Sequence, residues 1–318
     1  MMKRLFLRIA KNSRFIRYYW WMPVSRKIRD KFNNPVIKFF LIALIFPVVL
    51  VKWISFFKKP KEENEFRYEY AVTAIAKNEA PYIKEWVEYH AGIGFEKFYI
   101  YNNNSTDNIY EVLEPYIQSG LVEYTDYPGR KRQCFSYNDS VEKHKHECRY
   151  MAVIDLDEFI VPFENGNIST AGNLIGNNGG LVIHWCCFGS SGYEKQPDGG
   201  VLDSYLYRAE DSFMHHIAIK TIFNPRKVIC VSNPHFPCYY HGIVSVNENG
   251  NTVKGPIDYE VTYKKIRINH YFCKSQEEFR KKIDRGMGDV DGKRKWDKFI
   301  EYDKNEVYDD EILRFRKN

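Results

Sequence analysis

The sequence predicts an α/β fold: a doubly wound sheet flanked by helices. Three observations carry that expectation. Short apolar runs alternate with helical periodicity from Tyr70 onward, giving strand, helix, strand, helix, strand, helix, strand. The runs are rich in aliphatic and aromatic residues, as strands buried on both faces are. Polar clusters sit at their carboxyl ends, where ligands bind in open α/β sheets.

Residues 1–66 precede this pattern. Eleven of the 47 basic residues lie before residue 39, with one acid, Asp30, and are interleaved with Phe6, Phe15, Ile16, Tyr18, Tyr19, Trp20 and Trp21. Cations mixed with aromatics suit an anionic lipid interface. Phe39–Val51 is a run of thirteen residues that includes Pro47. As a helix it reaches about 20 Å, against a hydrocarbon thickness of roughly 30 Å. Extending it to Val36–Phe57 admits Lys38 and Lys52 near the ends, where lysines snorkel. The expectation is a membrane-associated helical segment that spans or lies in the interface. The run begins too late for a cleavable signal peptide, and no small-x-small site follows it. Lys58–Arg67 is a charged connector.

Tyr70–Ala76 reads as the first strand and ends in Lys77-Asn78-Glu79. Pro81 suits the first turn of a helix, and Tyr82, Ile83, Trp86, Val87 and His90 recur at helical spacing up to Gly92. Lys97–Tyr101 is a second strand, running into Asn102–Asp107, a loop rich in capping residues. Val112, Leu113, Tyr116 and Ile117 mark a helix closed by Gly120, and Leu121–Thr125 gives a third strand. After Arg130-Lys131-Arg132, a polar helix over Gln133–His146 leads to the strand Tyr150–Ile154. Gly166–Gly180 is a glycine- and asparagine-rich loop, Leu181–Phe188 a buried strand, and Gly189-Ser190-Ser191-Gly192 a flexible turn. Thr221–Phe223 and Val228–Ser232 are short strands, and Lys264–His270 puts Ile266, Ile268 and His270 on one face. Ser275-Gln276-Glu277-Glu278 forms a capping box that opens a helix to Gly286. The charged stretch from Asp289 reads as a peripheral helix. Three units follow: 1–66 as arm, apolar segment and connector, 67–286 as the globular domain, and 287–318 as a charged tail.

Composition excludes some classes. The net charge is +6, yet beyond the basic arm the chain carries 36 basic against 40 acidic residues, so no nucleic-acid surface is indicated. The seven cysteines form no C-x-x-C pair and no zinc-ligand rhythm with histidine; free buried thiols are expected.

The Tyr150 strand stops at Asp155-Leu156-Asp157-Glu158, three carboxylates in four positions. Desolvated carboxylates need partners or a metal. If the chain is still extended there, Asp155 and Asp157 fall on one side of it. Such a pair suits a hard divalent cation, which in turn holds a diphosphate. A solvated turn after a core strand is the competing reading. Lys77-Asn78-Glu79, Asn102–Asp107 and Asp155–Glu158 should meet at one rim.

Ala76-Lys77-Asn78-Glu79 with Glu85-Trp86 and His90 resembles the opening of glycosyltransferase family 92. The likeness continues through Tyr101-Asn102-Asn103 with Ser105 and Asp107, Asp155–Phe159 with Pro162, and Trp185 with Phe188–Gly192. It extends to His270-Tyr271 with Lys274-Ser275, Glu277-Glu278-Phe279 and Lys282, in order across roughly residues 70–286. The resemblance implies a GT-A-like doubly wound mixed sheet and a nucleotide-diphospho-sugar-dependent transferase, with a UDP-sugar as favoured donor. It also implies Mn²⁺ or Mg²⁺ on Asp157, with Asp155 and His270 completing that site, and inversion at the anomeric carbon. Lys77, Asn78, Glu79, Asn103, Asp107 and Asp155 would bind donor, Asp107 alternatively serving as a helix cap. Glu194 and Asp198, after the Gly-Ser-Ser-Gly turn, are the candidate catalytic bases for a hydroxyl of a glycan or glycolipid acceptor; surface charge is the plain alternative. Animal members carry a long stem that this chain lacks, which favours the cytoplasmic face of a bacterial inner membrane over a Golgi type II placement.

Two other classes compete. A membrane-attached glycan-binding module would keep the fold without turnover, but Asp155, Asp157 and His270 together argue for catalysis. A haloacid-dehalogenase-type phosphatase also carries Asp-x-Asp after a buried strand. That motif continues with a small or β-branched residue where this chain has Phe159, and it sits on the first strand instead of the fourth.

Overall fold

The computed structural model describes Phe57, Pro60 and residues 63–286 and 294–316. The basic arm and the apolar run expected to meet a membrane lie outside the described residues. Among the described residues, no helix is long and apolar enough to cross a membrane.

The first half alternates as the apolar runs predict: β1 (Tyr68–Ala76), α1 (Ala80–Gly92), β2 (Lys97–Asn102), α2 (Ile109–Gln118), β3 (Val122–Asp126), α3 (Gln133–His144) and β4 (Cys148–Val153). β5 (Glu158–Pro162), α4 (Ser169–Ile175), β6 (Gly180–Cys187), α5 (Val201–Ser204), β7 (Tyr207–Arg208) and β8 (Ile219–Phe223) follow. Then come β9 (Val228–Cys230), β10 (Cys238–Tyr239), β11 (Ser245–Val246), β12 (Thr252–Val253), β13 (Ile266–His270), α6 (Gln276–Arg285), α7 (Asp297–Tyr302) and β14 (Val307–Tyr308). The main sheet runs β12-β11-β6-β8-β4-β1-β2-β3. β1 pairs in parallel with β2 and β4, and β2 with β3, while β8 lies antiparallel between β4 and β6. β13 joins β6 in parallel and β5 antiparallel, so the sheet is mixed, with helices flanking it.

Apolar faces explain the layers. Ile83, Trp86 and Val87 of α1 are fully buried, at helical spacing, against the β1–β2 region. The same helix covers the open edge of β5, whose backbone has one strand partner. Trp86 Nε1 donates to the Glu158 carbonyl (2.9 Å) and Tyr89 Oη to the Ile160 carbonyl (2.8 Å), while Ile160 N donates to His90 Nε2 (3.3 Å). An unpaired strand edge is thereby satisfied by side chains. His90 donates its other ring N–H to the Trp86 carbonyl (2.8 Å), which fixes the tautomer. Burial lowers its pKa to about 3, so the ring is neutral.

Two sequence expectations change. The chain is not extended through Asp155 and Asp157: β4 ends at Val153, and residues 155–157 turn, with Glu158 N donating to the Asp155 carbonyl (3.1 Å). Glu158 itself satisfies Asp155 N (2.9 Å), which tightens that turn. The described part of the charged tail is not a single peripheral helix. Residues 294–316 form α7, β14 and a 3₁₀ turn, with Phe299 and Ile312 buried. Asp309 binds Arg208 (2.8 Å) and Arg267 (2.7 Å), and Asp303 and Asn305 accept from Ser190 N and Ser191 N (2.7 Å each). The apolar positions Phe299 and Ile312 are what the high charge of this stretch concealed.

Candidate active site

The carboxyl ends of β1, β2 and β4 open on a cavity of about 350 Å³, lined by Lys77, Glu79, Asn103, Gln133, Asp155, Asp157, Trp185, His235, His270, Lys282, Arg285, Arg294 and Lys298 among others. A second cavity of about 560 Å³ adjoins it through Lys77, Glu79, Asp157, Phe272, Lys282 and Arg285. The three polar strand ends thus meet at one rim, with β13 and α6 closing its other side.

Asp155 is held from three directions. Its Oδ2 receives Lys220 Nζ (2.9 Å), and its Oδ1 receives Gln133 Nε2 (2.6 Å) and Tyr137 Oη (3.2 Å). Lys220 belongs to β8, is fully buried, and stands 3.4 Å from Glu158. Burial pushes the Glu158 carboxyl well above its usual range, against the pull of Lys220. Among the described residues, Glu158 Oε1 has no hydrogen-bond partner. Lys220 therefore pairs chiefly with Asp155, and burial disfavours a second negative charge on Glu158 beneath them.

Asp157 occupies the border between the cavities. Its Oδ2 receives Lys282 Nζ (2.6 Å), and its Oδ1 lies 3.8 Å from His270 Nε2. Burial would raise its pKa, but the Lys282 ammonium outweighs that, so the carboxyl is held below its usual range. His270 goes the other way: burial lowers it to about 3, despite Asp157, so the imidazole is neutral. Trp185 packs on its ring at 4.0 Å between centroids, and among the described residues the His270 Nδ1 has no hydrogen-bond partner. A carboxylate oxygen facing a neutral imidazole nitrogen fits a divalent ion that takes its remaining ligands from diphosphate and water. Asp155 adds no free oxygen to that pair, and among the described residues no group of three His, Cys, Asp or Glu side chains is placed to hold a metal alone.

The other expected residues divide. Lys77 and Glu79 border both cavities, Asn78 the second and Asn103 the first. Arg285 Nη1 donates to the Lys77 carbonyl (2.8 Å) and pairs with Glu79. Asn78 has φ +54°, the left-handed region, and accepts from Thr106 N (2.7 Å), which ties the ends of β1 and β2 together. Asn103 is buried and donates to the Tyr127 and Gly129 carbonyls (3.0 and 2.8 Å). Asp107 lines neither cavity. It accepts from Ala80 N (2.8 Å), so it caps α1 across the rim instead of opening α2. Glu194 and Asp198 are exposed and line neither cavity. Their loop docks at the start of α6, where Glu277 N donates to the Glu194 carbonyl (2.9 Å), and it brings Gln196 to the second cavity.

Sequence reasoning passed over Lys220, Gln133, His235 and Arg285. Lys220 did carry a signal, because a lysine inside the apolar run Ile217–Phe223 must find an anion. Lys282 and Arg285 stand three apart, so they share one helix face. Gln133 and His235 carried none: both are polar residues in segments read as helix start and loop. His235 is lowered to about 4 by burial and by Lys220.

Comparison with known proteins matches this chain to the model of glycosyltransferase family 92 over residues 68–303. A glycosyltransferase family 92 protein of Ricinus communis is 27% identical over 172 residues, covering 50% of this chain and 30% of that protein. One of Oryza sativa subsp. japonica is 28% identical over 220 residues, covering 67% of this chain and 34% of its own length. A galactan beta-1,4-galactosyltransferase, GALS2, of Arabidopsis thaliana is 26% identical over 121 residues, covering 35% of this chain and 23% of that protein. The chain spans about a third of the length of these first two curated relatives. Among solved structures, S. aureus TarS 1-349 in complex with UDP aligns at a TM-score of 0.35 and 12% identity, over 56% of this chain and 60% of that one.

Proposed function

The chain belongs to glycosyltransferase family 92, and from that premise we propose that it moves a sugar from a nucleoside-diphosphate donor to a hydroxyl of a glycan or glycolipid. The favoured donor is a UDP-sugar and the favoured outcome inversion, in a GT-A-like catalytic domain. The observation that carries the reading is Asp157 facing neutral His270 in a cavity walled by Lys77, Lys282, Arg285, Arg294 and Lys298. The departing nucleoside diphosphate gains negative charge in the transition state, and fixed cations aimed at it stabilise that charge selectively.

Asp157 and His270 would hold Mn²⁺ or Mg²⁺. When bound, the ion neutralises charge on the leaving diphosphate. Lys282 keeps the Asp157 carboxylate ionised and oriented. Lys220, Gln133 and Tyr137 fix Asp155 so that it presents one rigid edge to the donor. Lys77, Glu79 and Asn103 border the donor, Asn78 holds the rim beside them through Thr106, and Asp107 acts on it indirectly by holding the start of α1. Trp185, against His270, keeps water from that side of the imidazole.

A base from the loop carrying Glu194 and Asp198 would take the acceptor proton as that loop closes over the second cavity. Alanine at each position should lower kcat about 10²–10⁴-fold with donor affinity kept; wild-type rates in both variants remove the loop from the mechanism. Residues 1–57 would fix the enzyme to a membrane, on the cytoplasmic face of a bacterial inner membrane, because basic and aromatic residues there precede a long apolar run. Full-length protein recovered wholly in the soluble fraction at low salt would refute this.

The test of the metal and donor assignment is Asp157→Asn, which keeps size and removes the charge a hard cation needs. Calorimetric titration of UDP into both proteins, with Mn²⁺ and with EDTA, is the measurement. Wild type should bind more tightly with Mn²⁺ and the variant should not respond. Equal affinity in EDTA for wild type, or a full manganese response in the variant, overturns the assignment.

A further inference from the structure

The second cavity holds a cation that the donor chemistry does not use. Lys274 lines it and is absent from the walls of the first cavity. Its side chain is buried (7% exposed), and among the described residues its ammonium has no hydrogen-bond acceptor and no ion-pair partner. It stands over the ring of Tyr82, 3.1 Å from the centroid.

Every acid around it is already engaged. Glu278 accepts from Tyr82 Oη (2.7 Å), Ser275 N (3.0 Å) and Tyr205 Oη. Glu79 is bound by Arg285 and Asp157 by Lys282, Asp284 has a partner of its own, and Lys281 is spent on Glu277 (2.9 Å). The backbone of Lys274 lies in the left-handed region (φ +50°), sparsely populated by non-glycine residues and found where a side chain is held for a task. Lys77, on the same wall, is engaged through a long contact to the Arg285 carbonyl (3.5 Å). An ammonium that lines a cleft with no ion-pair partner, only the longer-range attraction of Glu79, Glu278 and Asp157, calls for an anion from outside the chain.

We propose that the second cavity is the acceptor subsite and takes an acceptor bearing a phosphate group, with the Lys274 ammonium as its principal contact and Lys77 beside it. Lysine serves phosphate as a point charge. The aromatic face of Tyr82 fixes the ammonium without neutralising it. The donor diphosphate is an unsuitable occupant, because the first cavity supplies it with Arg285, Arg294 and Lys298 as well as the Asp157–His270 pair. This assignment rests on the donor reading above.

The test is a ³¹P NMR titration of methyl phosphate into the full chain, with Mg²⁺, in the presence and absence of saturating UDP. Saturable binding that leaves UDP bound is expected. Lys274→Met should weaken methyl phosphate about tenfold or more and leave UDP affinity unchanged, while Lys274→Arg retains binding. Methyl phosphate that displaces UDP, Lys274→Met that binds it like wild type, or Lys274→Met that loses UDP each overturns the proposal. Tighter binding of a methyl glucuronoside than of methyl phosphate also overturns it, in favour of a carboxylate acceptor. Failure of UDP to bind wild type strikes the donor reading instead, and the UDP-free titration still decides for Lys274. If Lys274→Met does not fold, the absence of saturable methyl phosphate binding to wild type is decisive alone.

Discussion

Lys220 reaches Asp155 from the antiparallel neighbour of the strand that carries it, with Nζ 2.9 Å from Oδ2 and no exposed surface of its own. The first aspartate of the Asp-Leu-Asp turn is therefore set by a strand residue 65 positions away in sequence. A cation inserted into the sheet makes the site's geometry and the sheet's stability one problem.

Lys220→Met tests that coupling. Removing the lysine leaves the Asp155 carboxylate only Gln133 and Tyr137 as donors beside Glu158; breaking a buried pair from one side typically costs about 3–5 kcal/mol, and less where one partner, as Asp155 here, is 33% exposed. Urea unfolding should show a loss of that order, and adding Asp155→Asn should restore part of it. A single variant within about 1 kcal/mol of wild type would mean that the pair contributes no such constraint.

The β1-to-β4 alternation was legible because each strand there is an apolar run bounded by polar residues, and because its helices carry one apolar face. His270 and Asp157 were legible as motif residues, yet their distance was not, since it depends on β13 pairing with both β5 and β6. Period-two reasoning failed at Asp155–Asp157 because the Glu158 side chain accepts from Asp155 N and holds the backbone in a turn. Asp107 was expected at the donor with a helix cap as the alternative; it caps, and its helix is α1, reached across the sheet rim. Local sequence names the cap and not which helix it meets. Lys220 and Asp309 escaped because a buried charge is read from its partner, and both partners are remote in sequence.

Asp309 carries the second prediction. Its two oxygens are divided between Arg208 and Arg267, both largely buried. Asp309→Ala leaves the Arg267 guanidinium without an ion-pair partner, while Arg208 keeps Asp211 (2.8 Å), so about 3–5 kcal/mol should be lost. The effect should reach the Ser190–Ser191 turn, which α7 and the segment after it hold through Asp303 and Asn305. Amide exchange at Ser190 and Ser191 should accelerate in the variant. Unchanged exchange there, with a lower global stability, would separate the tail's packing from the loop's order.

Acid should destabilise the fold well before its carboxylates titrate. His90 and His270 are lowered to about 3, and His216 and His235 to about 4, burial being the leading cause in each. The unfolded chain holds these rings near pKa 6.5, so between pH 6.5 and the folded values it binds more protons than the native state. Stability therefore falls as pH drops through that window, by about 2 kcal/mol per histidine between pH 7 and pH 5. Glu158, raised by burial, acts in the opposite sense, because the native state holds its proton as pH rises. Glu85, also raised by burial, joins it. Four histidines outweigh two carboxyls, and a net loss on the order of several kcal/mol is expected by pH 5. The check is the urea midpoint at half-unit steps from pH 7.5 to pH 5, together with proton uptake on unfolding. A midpoint that is flat or rises toward pH 5 would show that these imidazoles are not held neutral in the folded protein.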